Sequence, residues 1–109
     1  MDERRQSERI PVNLDAKITS GGRIFDGSIE NMSEDGMEYY MTSYVSATKD
    51  YFTKKSVDIS FRSPSGEKIN LHCELKWLLE TFPEQKSLLL GMRIIDPPLS
   101  LRELLKRMD

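Results

Sequence analysis

Two short constellations in this chain could do chemistry. Arg5-Gln6-Ser7-Glu8-Arg9 sets arginines at i and i+4, with Arg4 beside them. Asn31-Met32-Ser33-Glu34-Asp35-Gly36 follows about one hairpin later. Planar guanidinium groups fork onto phosphates and can pair with the N7/O6 edge of guanine. The Asn31 amide both donates and accepts, which suits a guanine edge. The Ser33 hydroxyl can reach a ligand or the backbone of its own turn. Gly36 allows a backbone conformation that a Cβ would penalise. Together these residues can hold an anionic, purine-bearing ligand.

Each motif also has a plainer reading. Arg4, Arg5 and Arg9 can be solvated charges paired loosely with Glu3 and Glu8, and exposed ion pairs are weak. The second motif can be a hairpin turn with Asx-type self-bonding. Either alone is better read that way. Their joint occurrence, in this order and within a barrel pattern, favours binding.

Other chemistry finds no support. His72 and Cys73 are adjacent, so on a strand they face opposite sides and cannot share a metal. His72 reads as a solvent-face residue and Cys73 as core. One histidine permits no Ser/His/Asp set, and the carboxylates show no acid/base pairing. No catalytic residue, metal site or cofactor is expected. Tyr39, Tyr40 and Tyr44 are explained by packing.

Composition narrows the partners. The chain has 109 residues, enough for one domain with a core. Its 16 Lys+Arg balance 18 Asp+Glu, for a net charge of −2. Such a chain is not a bulk nucleic-acid coater or a polycation for membrane surfaces. An anion must be met by a local arginine cluster. A single cysteine forbids an internal disulfide and fits a reducing cytoplasm. No signal peptide or membrane-spanning run is visible.

The elements that must position the motifs follow from periodicity. Residues 1–11 read as a flexible arginine arm, and residues 12–109 as the folded domain. Val12, Leu14, Ala16 and Ile18 alternate with polar residues, a half-buried strand. Gly21-Gly22 turns into a second strand over roughly Arg23 to Glu30. Asn31 to Gly36 reads as a turn and Met37 to Met41 as a third strand. Ser43 to Lys55 shows no clear period.

Val57, Ile59 and Phe61 mark a fourth strand, followed by a Ser63-Pro64-Ser65-Gly66 turn. Ile69, Leu71, Cys73, Leu75, Trp77 and Leu79 form one long alternating stripe. Phe82 to Gln85 turns, and Leu88, Leu90, Met92 and Ile94 make a sixth strand. Ser100-Leu101-Arg102-Glu103 reads as a capping box. Leu101, Leu104, Leu105 and Met108 then give an amphipathic helix. Six short strands and a terminal helix predict an all-β fold, a six-stranded antiparallel β-barrel with a C-terminal α-helix.

With these elements in order, the chain resembles the PilZ domain family of bacterial cyclic di-GMP receptors over nearly its whole length. Arg4 to Arg9 is similar to the family's arginine arm, and Asn31 to Gly36 to its [D/N]xSxxG turn. Leu75-Lys76-Trp77 and Leu90-Gly91-Met92-Arg93-Ile94 resemble the late strands. Ile94 stands where the family often has Phe, a core substitution. The stretch Ser43 to Lys55 is longer than the usual connection.

The resemblance implies a split-barrel type of fold and cyclic di-GMP as the ligand. It implies Arg4, Arg5, Arg9, Asn31, Ser33 and Gly36 as the residues that bind it. The expected protein is a non-catalytic, cytoplasmic second-messenger sensor whose arm, residues 1 to 9, is disordered without ligand and closes on the dinucleotide. The altered surface signals to an effector protein in trans. The alternative is a PilZ-like adaptor that works through protein contacts with weak or no nucleotide binding. An OB-like single-strand nucleic-acid binder is disfavoured by the net charge and by arginines confined to one end. Neither nucleic acid nor membrane insertion is expected.

Overall fold

Apolar and polar residues alternate along each strand because successive side chains point to opposite faces of a sheet. In the computed structural model, which describes residues 9–41, 56–80 and 87–108, this alternation folds into six strands. They are β1 (Ile10–Ser20), β2 (Arg23–Met32), β3 (Gly36–Met41), β4 (Ser56–Arg62), β5 (Lys68–Glu80) and β6 (Leu88–Ile95). A helix, α1 (Leu99–Met108), ends the chain. The strands close into a barrel in the order β1-β2-β3-β6-β5-β4, and every pairing is antiparallel.

The inward residues form one core. Ile18, Ile29, Met32, Met37, Tyr39, Ile59, Ile69, Cys73, Leu88, Leu90 and Ile94 are all buried in it. The Tyr39 hydroxyl donates to the Ala16 carbonyl oxygen at 2.7 Å, giving its buried polar end a partner. Desolvation drives the phenol's pKa up, helped by the charges of Asp26 and Asp15. Leu101, Leu104 and Leu105 of α1 join the same core cluster. Gly21 and Gly22 both have positive φ (58° and 81°), the two-residue hairpin that suits the right-handed twist of β1 and β2.

Several expected boundaries fall elsewhere. β1 takes in Ile10 and Pro11, which pair with Met32 and Asn31. The segment expected as an arm through residue 11 therefore ends at or before Arg9. β2 runs on to Met32, so only Ser33 to Asp35 remain as turn. α1 begins at Leu99, and the Leu101 amide donates to the Pro98 carbonyl at 3.1 Å. Ser100 thus sits inside the first turn and is not the expected cap. The stretch Ser43 to Lys55 and the turn Phe82 to Gln85 lie outside the described residues, as does Tyr44.

Two bulges re-aim side chains. In β2 the register shifts between Ile29 and Asn31, so Ile29 and Met32 both face inward and Asn31 faces out. In β5 it shifts between Leu75 and Trp77. The long apolar stripe expected to be internal therefore breaks. Leu78 packs against the core, while Trp77 and Leu79 turn outward, 41% and 55% exposed.

Candidate functional site

Strand pairing lines up residues from four strands on the outer face of the barrel. Asn31 pairs with Glu38, Glu38 with Gly91, and Gly91 with Trp77. Beside this row, Gly36 pairs with Arg93 and Arg93 with Glu74. Pro11 pairs with Asn31, so the residue that precedes β1, Arg9, arrives at the same place.

Arg9 reaches over the start of β3. Its Nη1 donates to Asn31 Oδ1 at 3.4 Å and stands 3.9 Å from Glu38 Oε2. Asn31 Nδ2 donates to Glu38 Oε1 at 3.1 Å. The other guanidinium nitrogen, Nη2, lies over Gly36. A Cβ there would come within 2.8 Å of Nη2 and 3.1 Å of the Met92 carbonyl oxygen. The motif pattern predicts that Gly36 supplies a backbone conformation a Cβ would penalise. Its φ is not among the positive ones, and the need for glycine is one of space beneath Arg9.

The turn between β2 and β3 is built from its own side chains. Ser33 is buried; its hydroxyl donates to Asp35 Oδ1 at 2.6 Å and accepts from the Asp35 amide at 3.3 Å. Of the two roles open to that hydroxyl, it takes the one inside the turn. The Ser33 amide donates to the Gly36 carbonyl at 2.9 Å, and the Ile94 amide to the Asp35 carbonyl at 3.0 Å. Arg102 of α1 pairs with Glu34 at 3.0 Å. The turn is therefore tied to both β6 and the helix.

Of the sequence-predicted site residues, Arg9 contacts Asn31 and lies over Gly36, and Ser33 lies in the turn between β2 and β3. Arg4 and Arg5 lie outside the described residues. Four further side chains lie on this face, Glu38, Glu74, Trp77 and Arg93; Trp77 and Arg93 belong to the late-strand resemblance, but none of the four is among the expected binding residues. Arg93 is the strand partner of Gly36, and its guanidinium is paired with Glu74 at 3.0 Å. The Trp77 indole rests on Gly91, where a Cβ would collide with the ring. The outward alternation of Glu38 and Arg93 was available in the sequence, but the β3–β6 pairing that joins them was not.

The arrangement offers cations and amide donors above a glycine floor, with an exposed aromatic ring at the end of the row. It can bind an anion and a planar ring together. No group of three or more possible metal ligands occurs among the described residues. Among them, no helix is long and apolar enough to cross a membrane. An open concavity of about 1190 Å³ lies elsewhere, lined by Asp15, Lys17, Asp26 and Arg62 among others. It holds no residue of either motif, and Lys17 and Asp26 neutralise each other at 2.6 Å.

Comparison with known proteins adds the following. The family model described as "PilZ domain" matches residues 3–108. No curated protein sequence matches the chain. Among solved structures, the inhibitor of motility MotI/DgrA of Bacillus subtilis superposes with a TM-score of 0.76 at 16% identity, covering 98% of this chain and 50% of that one. The PilZ domain of YcgR from Escherichia coli, solved with c-di-GMP, gives 0.74 at 14% identity, covering 97% and 89%. The PlzA protein of Borreliella burgdorferi, in complex with c-di-GMP, gives 0.65 at 13% identity, covering 93% and 51%. The chain thus spans about half the length of MotI/DgrA and of PlzA. At these identities the likeness is one of fold.

Proposed function

This chain belongs to the PilZ domain family, and on that premise we propose that it is a cyclic di-GMP-binding sensor domain. The observation that carries the proposal is the meeting of Arg9 and Asn31 above Gly36, on a barrel whose relatives YcgR and PlzA were solved with c-di-GMP. We assign ligand binding to Arg4, Arg5, Arg9, Asn31, Ser33 and Gly36. The guanidinium groups of Arg4, Arg5 and Arg9 fork onto phosphates and onto guanine N7/O6. Asn31 meets a base edge. Ser33 and Gly36 shape the surface the ligand lies on.

The domain works without catalysis and without a cofactor, in the cytoplasm. The segment before β1 closes over the dinucleotide, and the altered surface is read by an effector protein. Ordering a residue costs about 1–2 kcal/mol of backbone entropy, so closure is confined to residues that touch ligand. Titration calorimetry with cyclic di-GMP and cyclic di-AMP tests the assignment. Saturable binding that favours the guanine form is expected. Adenine replaces the O6 acceptor with an amino donor, so an arginine fork loses a bond. Equal affinities would remove guanine reading from the arginines. No binding of either would leave the adaptor reading.

A further inference from the structure

We propose that Glu38 is a built-in anion that competes with the ligand's phosphate for Arg9 and so holds the affinity of this domain below what its arginines alone would give. The inference rests on the cyclic di-GMP reading above and concerns how that same site is tuned. Glu38 stands two residues after Gly36 on β3, pairs across to Asn31, and faces outward with it. One carboxylate oxygen accepts from Asn31 Nδ2 at 3.1 Å. The other stands 3.9 Å from Arg9 Nη1. Two of the residues assigned to ligand binding, Arg9 and Asn31, are therefore already engaged by one internal carboxylate.

A phosphate bound by Arg9 has to take the guanidinium from Glu38 or share it. With its backbone fixed in the β2–β3 ladder, the carboxylate can move aside only by side-chain rotation, giving up the Asn31 hydrogen bond. It then faces a dianionic ligand across a few ångströms. Arg9 and Glu38 side chains are 30% and 31% exposed, so water screens this repulsion only partly. The neighbouring Arg93 and Glu74 repeat the pattern at 3.0 Å.

The test compares Glu38→Gln with wild type by calorimetry with cyclic di-GMP at low and at high salt. Gln keeps the length of the side chain and an oxygen for Asn31, and removes only the charge. Binding should tighten by up to about five-fold, the upper end for a partly exposed charge interaction. The gain should close toward 1 M salt, where screening reaches about 3 Å. Asp26→Asn, the same charge change on the Lys17 pair at the other end of β2, should leave affinity unchanged. Wild-type binding with an unchanged or weakened Glu38→Gln variant, melting normally, overturns the competition while leaving the proposed function standing. A gain that persists at high salt assigns the effect to shape and overturns it too. Absence of binding in the wild type overturns the proposed function itself, and this inference with it.

Discussion

The guanidinium of Arg9 lies over Gly36 with no room for a methyl group between them, since a Cβ would fall 2.8 Å from Nη2. Gly36→Ala should push Arg9 off this floor. The Met92 carbonyl on the other side, 3.1 Å from the same point, is backbone and cannot move away cheaply. We expect cyclic di-GMP affinity to fall about tenfold, about 1.4 kcal/mol. Retained wild-type affinity would show that Arg9 need not sit here when ligand is bound.

Arg9→Ala should cost about 1.5–3 kcal/mol of binding, the range for hydrogen bonds to a charged group, or roughly ten- to a hundred-fold in affinity. Its contacts within the protein are long, 3.4 Å to Asn31 and 3.9 Å to Glu38. Melting temperature should therefore move little. A variant that binds normally removes Arg9 from the site, and one that unfolds means the residue is structural.

Gly91→Ala should displace the indole of Trp77, which lies against that glycine. Because the ring is 41% exposed and can swing outward, the cost should stay at the low end of crowding effects, about 1 kcal/mol. Trp77 is the chain's single tryptophan, so a shift of fluorescence emission reads its displacement directly. An unaltered spectrum would contradict the packing.

Cys73 should resist thiol reagents until the barrel opens. Desolvation, with a smaller contribution from the charge of Asp58, pushes its thiol up to about 12. Because the folded thiol holds its proton more tightly than the unfolded one, its contribution to stability is complete below the unfolded pKa near 9.0 and is lost as pH rises toward 12. Labelling rates at pH 8 in buffer and in denaturant should differ by orders of magnitude. Rapid labelling of the native protein would place Cys73 outside the core.

Tyr39→Phe removes a buried hydroxyl that donates to the Ala16 carbonyl at 2.7 Å. A loss of about 0.5–1.5 kcal/mol is expected by chemical denaturation. A neutral substitution would indicate that the carbonyl finds another donor.

The barrel was legible because Val12 to Ile18 and Val57 to Phe61 alternate without interruption, and alternation sorts side chains to two faces. Arg9, Asn31 and Gly36 were legible as motif residues. The bulges were not: nothing in Ile29-Glu30-Asn31 or Leu75-Lys76-Trp77 marks an extra residue, since a bulge is decided by the partner strand. A strict period of two would have put Asn31 on the side of Ile29, and did put Trp77 on the side of Cys73. That Glu38 and Arg93 lie beside the motif residues stayed hidden for a related reason. β3 and β6 pair across a long stretch of chain, and no local signal announces that they are neighbours.

The closure of β1 onto β4 limits how a second protein can recognise this domain. Many recognition domains capture an extended peptide by adding it to an open sheet, so that main-chain hydrogen bonds supply the affinity. Here each of the six described strands has a neighbour on both sides, and the β1–β4 seam is only four residue pairs long, Ala16 to Thr19, so main-chain groups to extend are left only beyond that short seam. A protein that distinguishes the ligand-bound from the ligand-free domain has mainly side chains to read, on the barrel wall or on the outer face of α1. Its specificity is then written in residues that can be exchanged one at a time without unpairing the barrel.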